Sequence, residues 1–156
     1  MLNTLLKCPN KFTCSTYLKN KLLNEKKICS FAFGTGRLEL DLFKNGYDIS
    51  MYSNRYYIWE FWNCLIESPA LVFNAAKHYH ESFTPADFVY YRDKWLTSFK
   101  EPYQRAAMFY LLNRYSENGN FSHSTVNKSN FSFLNFLSLE RSIPQISGLD
   151  LHLDKE

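Results

Sequence analysis

The chain has 156 residues, 46% of them hydrophobic and 18% aromatic, with a formal net charge of +3. That length and apolar content suit one compact domain and exclude a disordered solvating chain; so small a positive charge excludes a nucleic-acid binder that works by dense Lys/Arg loading alone. Lys, Glu, Asn or Asp interrupts every apolar run before the ~20 residues of a membrane span. Cys8, Cys14, Cys29 and Cys64 lack the paired CxxC spacing of a zinc site, so a soluble, cytoplasmic protein with reduced thiols, no metal and no membrane contact is expected.

The N-terminal stretch from Leu5 to Lys27 concentrates Lys7, Lys11, Lys19, Lys21, Lys26 and Lys27 against the single acid Glu25, a solvated basic surface. Lys27–Leu42 then reads as strand, glycine turn and helix, and Asn45-Gly46 ends that helix before a second strand over Tyr47–Tyr52. This is the start of an α/β unit. From Ser53 the apolar spacing of Tyr57, Ile58, Phe61, Trp62 and Leu65 predicts a helix that stops at Pro69, which opens the next with Ser68 as its cap. Tyr56 and Trp59 lie off that apolar face and are candidates for a protein contact.

Thr84-Pro85-Ala86-Asp87 predicts a capped helix over about 85–98, and Pro102 opens another that runs toward Asn118-Gly119. Three or four helices therefore follow the strand pair. His78 and His80, two apart on a helix, point away from each other and read as surface histidines. Beyond Gly119 the Ser, Asn and Phe content predicts loop with short strands, and the last residues an irregular tail.

Phe33-Gly34-Thr35-Gly36 lets backbone approach a ligand closely at a strand-to-helix turn. Downstream stand Tyr90-Tyr91-Arg92, the run from Glu101 through Arg105-Ala106-Ala107 to Leu112-Asn113-Arg114-Tyr115, and Asn118-Gly119. This series resembles the tyrosine-rich helix, "dPfrRA" helix start and "LNRYgyNG" turn of the Dam type of DNA adenine-N6 methyltransferases. Asn130-Phe131 is similar to that family's "eFN" step and Leu6-Lys7 to its N-terminal "LKW.GGK". The resemblance spans roughly residues 5 to 133.

It implies an α/β, partial Rossmann-like methyltransferase fold over 1–68, a helical target-recognition-like region over 69–133 and an irregular tail over 134–156, all in one domain. It also implies a cofactor site for S-adenosylmethionine at Phe33, Gly34, Gly36 and Ser53. Nucleic-acid contacts fall to Lys7, Lys11, Arg105, Asn113, Arg114, Tyr115, Asn118 and Gly119. The reaction so implied is methyl transfer to a flipped-out adenine of double-stranded DNA.

The departures are as informative. No Asp-Pro-Pro-Tyr occurs, so the group that would hold the target amine is missing; Asp150 and Asp154 are followed by no proline. Ser30 and Phe31 stand where the family has an acid and a proline around its glycine motif. Ser53 stands where a carboxylate would grip the ribose, with Asp48 available only in a shifted register. Leu6-Lys7-Cys8-Pro9-Asn10-Lys11 has lost the glycines and tryptophan of "LKW.GGK", and Ser122 replaces an arginine after the NG step.

The expectation is a catalytically inactive homologue, with no cofactor, that binds DNA or a protein covering its open sheet edge and aromatic helix. The alternatives are one subunit of a split methyltransferase completed by a partner carrying the catalytic motif, and a sensor that keeps S-adenosylmethionine without chemistry.

Overall fold

In the computed structural model, residues 6–7, 21, 26–31, 34–117, 119–121 and 131–154 are described. Among them, β1 (Lys27–Phe31) leads through a glycine turn to α1 (Arg37–Lys44), and β2 (Asp48–Ser53) follows. Asn45 caps α1, its N–H reaching Leu42 O, and Gly46 turns the chain at φ 85°. That turn delays the second strand by one residue from its expected start at Tyr47.

Five helices come next: α2 (Tyr56–Glu67), α3 (Pro69–Ser82), α4 (Pro85–Ser98), α5 (Pro102–Tyr115) and α6 (Phe133–Ile146), before β3 (Asp150–Leu153). The count exceeds the expected three or four because of α6. Proline stands at the first position of α3, α4 and α5, where its missing N–H costs nothing and its fixed φ suits a helix. Thr84 and Asp87 close a reciprocal capping box on α4. Ser68 sits at the α2–α3 junction without a side-chain cap bond; its N–H closes the end of α2 on Cys64 O instead.

Helix α5 is the hub, since every residue from Ala106 to Tyr115 is buried. A helix buried all round belongs inside a core, and α2, α3 and α4 all pack on this one. Phe61, Trp62 and Leu65 of α2 are wholly buried, each such side chain contributing about 1.5–3 kcal/mol.

The expected irregular tail over 134–156 is corrected by α6 and β3. Ser132 and Asn135 form a capping box, and Phe136, Leu139 and Ile146 bury one face. Pro144 removes a backbone donor only in the last turn, so the helix survives it. Tertiary packing, with the Phe136 ring 5.8 Å from that of Phe73 on α3, overrides a weak local signal.

The sheet is parallel, in order β1-β2-β3, an α/β arrangement compatible with part of a Rossmann-like fold. Because the order advances in one direction, right-handed crossovers place both connections on the same face. The burial of alternate residues agrees. Ile49, Met51 and Ser53 are buried toward the helices, with Ile28, Ser30, Leu151 and Leu153 half-buried beside them. On the other face Lys27, Cys29, Phe31, Asp48, Asp150 and His152 are exposed. Strand β1 pairs only with β2 among the described residues.

Candidate functional site

The glycine turn sits at the carboxyl ends of β1 and β2. Gly36 holds φ 70° as the N-cap of α1, a left-handed conformation that glycine adopts without penalty. At Gly34 a Cβ would meet nothing within 4 Å, so the space beside the turn is open. Trp62 Nε1 donates to Gly34 O at 3.2 Å and ties the turn to α2. Phe33 lies outside the described residues. Phe31, 69% exposed, lies on the outer face, stacked 5.1 Å from the Tyr52 ring.

The two candidates for the ribose-gripping position lie at opposite ends of β2. Ser53 ends β2 wholly buried, its Oγ 3.3 Å from the backbone N and O of Arg55 in the turn into α2. Asp48 begins β2, opposite Lys27, at the far end of the sheet from the glycine turn. The register therefore removes Asp48 as a ribose ligand. Sequence reasoning overlooked Glu39, which follows Gly36 by three residues in the first turn of α1 and accepts from Ser30 Oγ at 2.6 Å. An acid at a helix N-terminus is favourable, and the pairing explains a buried carboxylate.

Asn113 joins the N-terminal segment to the turn after α5. Its Oδ1 accepts from Lys7 N at 2.7 Å, while Nδ2 donates to Lys7 O at 3.2 Å and to Gly119 O at 3.0 Å. Lys7 Nζ donates to Ser116 O at 2.7 Å, and burial, with Arg114 nearby, holds its ammonium below the ordinary lysine value. Gly119 has φ 85°, and a Cβ there would stand 2.2 Å from Lys7 O. Only glycine fits. Lys11 and Asn118 lie outside the described residues.

Arg105, Asn113, Arg114 and Tyr115, expected as nucleic-acid contacts, all make contacts inside the fold. Arg105 makes a two-pronged pair with Glu60, Nε to Oε2 at 2.9 Å and Nη2 to Oε1 at 2.5 Å, and Nη1 donates to Phe99 O and Lys100 O. Tyr56 OH donates to the same Glu60 carboxylate at 2.7 Å. Arg114, 7% exposed, lies over the Tyr110 ring at 5.7 Å. Tyr115 is wholly buried, its hydroxyl 2.5 Å from His80 Nδ1, and burial pushes its phenol well above the ordinary range. These contacts lie within the fold and brace α5 against its neighbours.

His80 is half-buried, its ring 4.6 Å from that of Phe131, whereas His78 is exposed as expected. On the outer sheet face, Ser50 Oγ donates to Asp150 Oδ2 at 2.7 Å and His152 Nε2 stands 2.9 Å from Asp150 Oδ1. Serine and histidine both meet the carboxylate and not each other, so no base activates the hydroxyl.

What the fold does assemble is a cleft of about 540 Å³. Thr35 from the glycine turn forms one wall together with Arg55, Tyr57 and Ile58 at the start of α2. Arg92, Asp93, Trp95 and Leu96 of α4 and Phe109 and Asn113 of α5 also line it. Leu6-Lys7 and Gly119-Asn120-Phe121 close the rim. The glycine turn and the asparagine-tied segment, far apart in sequence, thus line one hollow of ordinary small-molecule size.

Among the described residues, no group of His, Cys, Asp and Glu side chains is arranged to hold a metal ion, and no helix is long and apolar enough to cross a membrane. The chain matches no protein-family model and no curated protein.

Proposed function

We propose that this chain is a non-catalytic relative of the Dam-type DNA adenine-N6 methyltransferases that works as a protein-binding module. The observation that carries this is the sheet. Parallel sheets are ordinarily covered by helices on both faces, yet here one face exposes Cys29, Phe31 and His152, and β1 has no second strand beside it among the described residues. The rings of Phe31, Tyr52 and His152 stack across three strands at 5.1 and 4.7 Å. An open edge and an aromatic ladder together suit a partner that adds a strand and lays a helix across the face.

Double-stranded DNA is the weaker candidate, because Arg105, Asn113, Arg114 and Tyr115 are engaged internally. A photoreactive residue placed at Phe31 tests the choice in cells that express the protein, with one at exposed Leu134 as control. A polypeptide adduct from position 31 and none from position 134 is expected. A nucleic-acid adduct, or none, at position 31 defeats the proposal.

A second reading, one subunit of a split S-adenosylmethionine-dependent enzyme, is favoured by the open space beside Gly34. There the partner's strand would bring the missing Asp-Pro-Pro-Tyr to the β1 edge. Methyl transfer to adenine by the reconstituted pair, and none by either chain alone, separates it from a purely scaffolding role.

A further inference from the structure

We propose that the strand taken up by the open edge of β1 is the β1 of a second copy of this chain, paired antiparallel about a two-fold axis through Cys29. This rests on the protein-binding reading and names its partner. The direction of the backbone groups, the length of the strand and the order of its side chains carry it.

Asp48 N donates to Lys26 O at 2.8 Å, and the Cα partner of Asp48 on β1 is Lys27. Alternate residues of a strand turn both backbone groups to the same side, so Lys26, Ile28 and Ser30 serve β2. Lys27, Cys29 and Phe31 turn theirs outward, where no second strand stands among the described residues.

Facing residues of this kind in an antiparallel pair exchange both of their hydrogen bonds. Strand β1 is five residues long with Cys29 at its centre. An axis there sets Cys29 against Cys29, and Lys27 against Phe31 of the other copy, so that every outward group of the strand is paired. An axis at Ile28 leaves Phe31 without a partner, one at Ser30 leaves Lys27 without one, and one at Lys27 sets like charges face to face.

The side chains favour the same register. Lys27, Cys29 and Phe31 are all exposed on the outer face, and antiparallel pairing puts facing side chains on one face. The Lys27 ammonium thus falls beside the Phe31 ring of the other copy and extends the ladder of Phe31, Tyr52 and His152 by a cation–π contact. Two-fold symmetry makes that contact twice. Asp48, across from Lys27 within each copy, balances its charge.

Sedimentation of the full chain over a concentration series tests the inference, with mild copper-catalysed oxidation as a second measurement. A reversible dimer is expected. Oxidation should link Cys29 to Cys29, a bond that can only join two copies, because paired Cα atoms about 5.5 Å apart lie within disulfide reach. Phe31→Lys opposes two ammonium groups and should weaken the dimer about tenfold or more, with the far-UV spectrum unchanged. Adding Lys27→Phe to that variant sets ring and ammonium opposite each other again and should restore the dimer, which a merely structural defect at either position would not allow. A dimer indifferent to Phe31→Lys, or one that the double exchange does not rescue, overturns the inference. If the chain stays monomeric while a photoreactive residue at position 31 captures a different polypeptide, the second copy is excluded and the protein-binding reading stands. If position 31 captures no polypeptide, both fall.

Discussion

Replacing Asn113 by alanine removes three hydrogen bonds at once, to Lys7 N, Lys7 O and Gly119 O, from a side chain only 3% exposed. Each is worth a net of about 0.5–1.5 kcal/mol, and backbone groups left without partners add to the loss. The expected destabilisation is about 2–4 kcal/mol, a large fraction of the roughly 5–15 kcal/mol that holds a domain together. With a urea dependence of about 2 kcal/mol/M, the unfolding midpoint by tryptophan fluorescence should fall by about 1–2 M. The Lys7 amide should also exchange faster with solvent than in the parent chain. Asn113→Asp keeps the acceptor for Lys7 N but sets a carboxylate against two carbonyl oxygens, so it should be no milder. A midpoint for Asn113→Ala within about 0.3 M of the parent, with Lys7 still protected, would refute the role assigned to this asparagine.

Further tests probe the other contacts. Arg105→Ala strands the Glu60 carboxylate, itself 3% exposed, and should cost about 3–5 kcal/mol in urea unfolding, less when Glu60→Leu accompanies Arg105→Met. Gly119→Ala must resolve a 2.2 Å overlap with Lys7 O at φ 85°, so a loss of at least about 2 kcal/mol is expected. Thr84 holds the Asp87 carboxyl below its usual 3.8. The cap's contribution is therefore complete above that value and lost as pH falls through the lower folded value, and Asp87→Asn should flatten the stability profile below about pH 4. Burial pushes the Cys64 thiol up to about 11; in a chain whose other three cysteines are serine, it should resist alkylation at pH 8 until urea unfolds the domain.

Sequence patterns located most of the framework because its signals are local. The Pro85 and Pro102 starts, the Thr84–Asp87 box and the Asn45-Gly46 turn each rest on chemistry within a few residues. Helix α6 escaped notice because its warrant is tertiary: Phe136 and Leu139 become a buried face only against α3 and α2. Strand β3, four residues long, is defined by its pairing with β2. The candidate site divides in the same way. The glycine turn was legible, since backbone geometry there asks for a residue without a side chain; the need for glycine at 119 was not, because it comes from Lys7 O, a neighbour distant in sequence. The destinations of Arg105 and Asn113 were not, because a motif records a residue's type and not whether its polar atoms end at Glu60 and Lys7 or at a ligand.

The sheet's pairing order also bears on how the protein is made. Ser50 on β2 meets Asp150 on β3 across 100 residues of intervening chain. Synthesis proceeds from the N-terminus, so the β1-α1-β2 unit and the helices around α5 emerge while the outer edge of β2 still awaits its neighbour. Closing that contact must follow the long helical excursion, and such non-local pairing is slow relative to helix assembly. In that interval both edges of a two-stranded ribbon are available to other chains. A chaperone or a co-translational partner would meet the open edge of β2 throughout that interval.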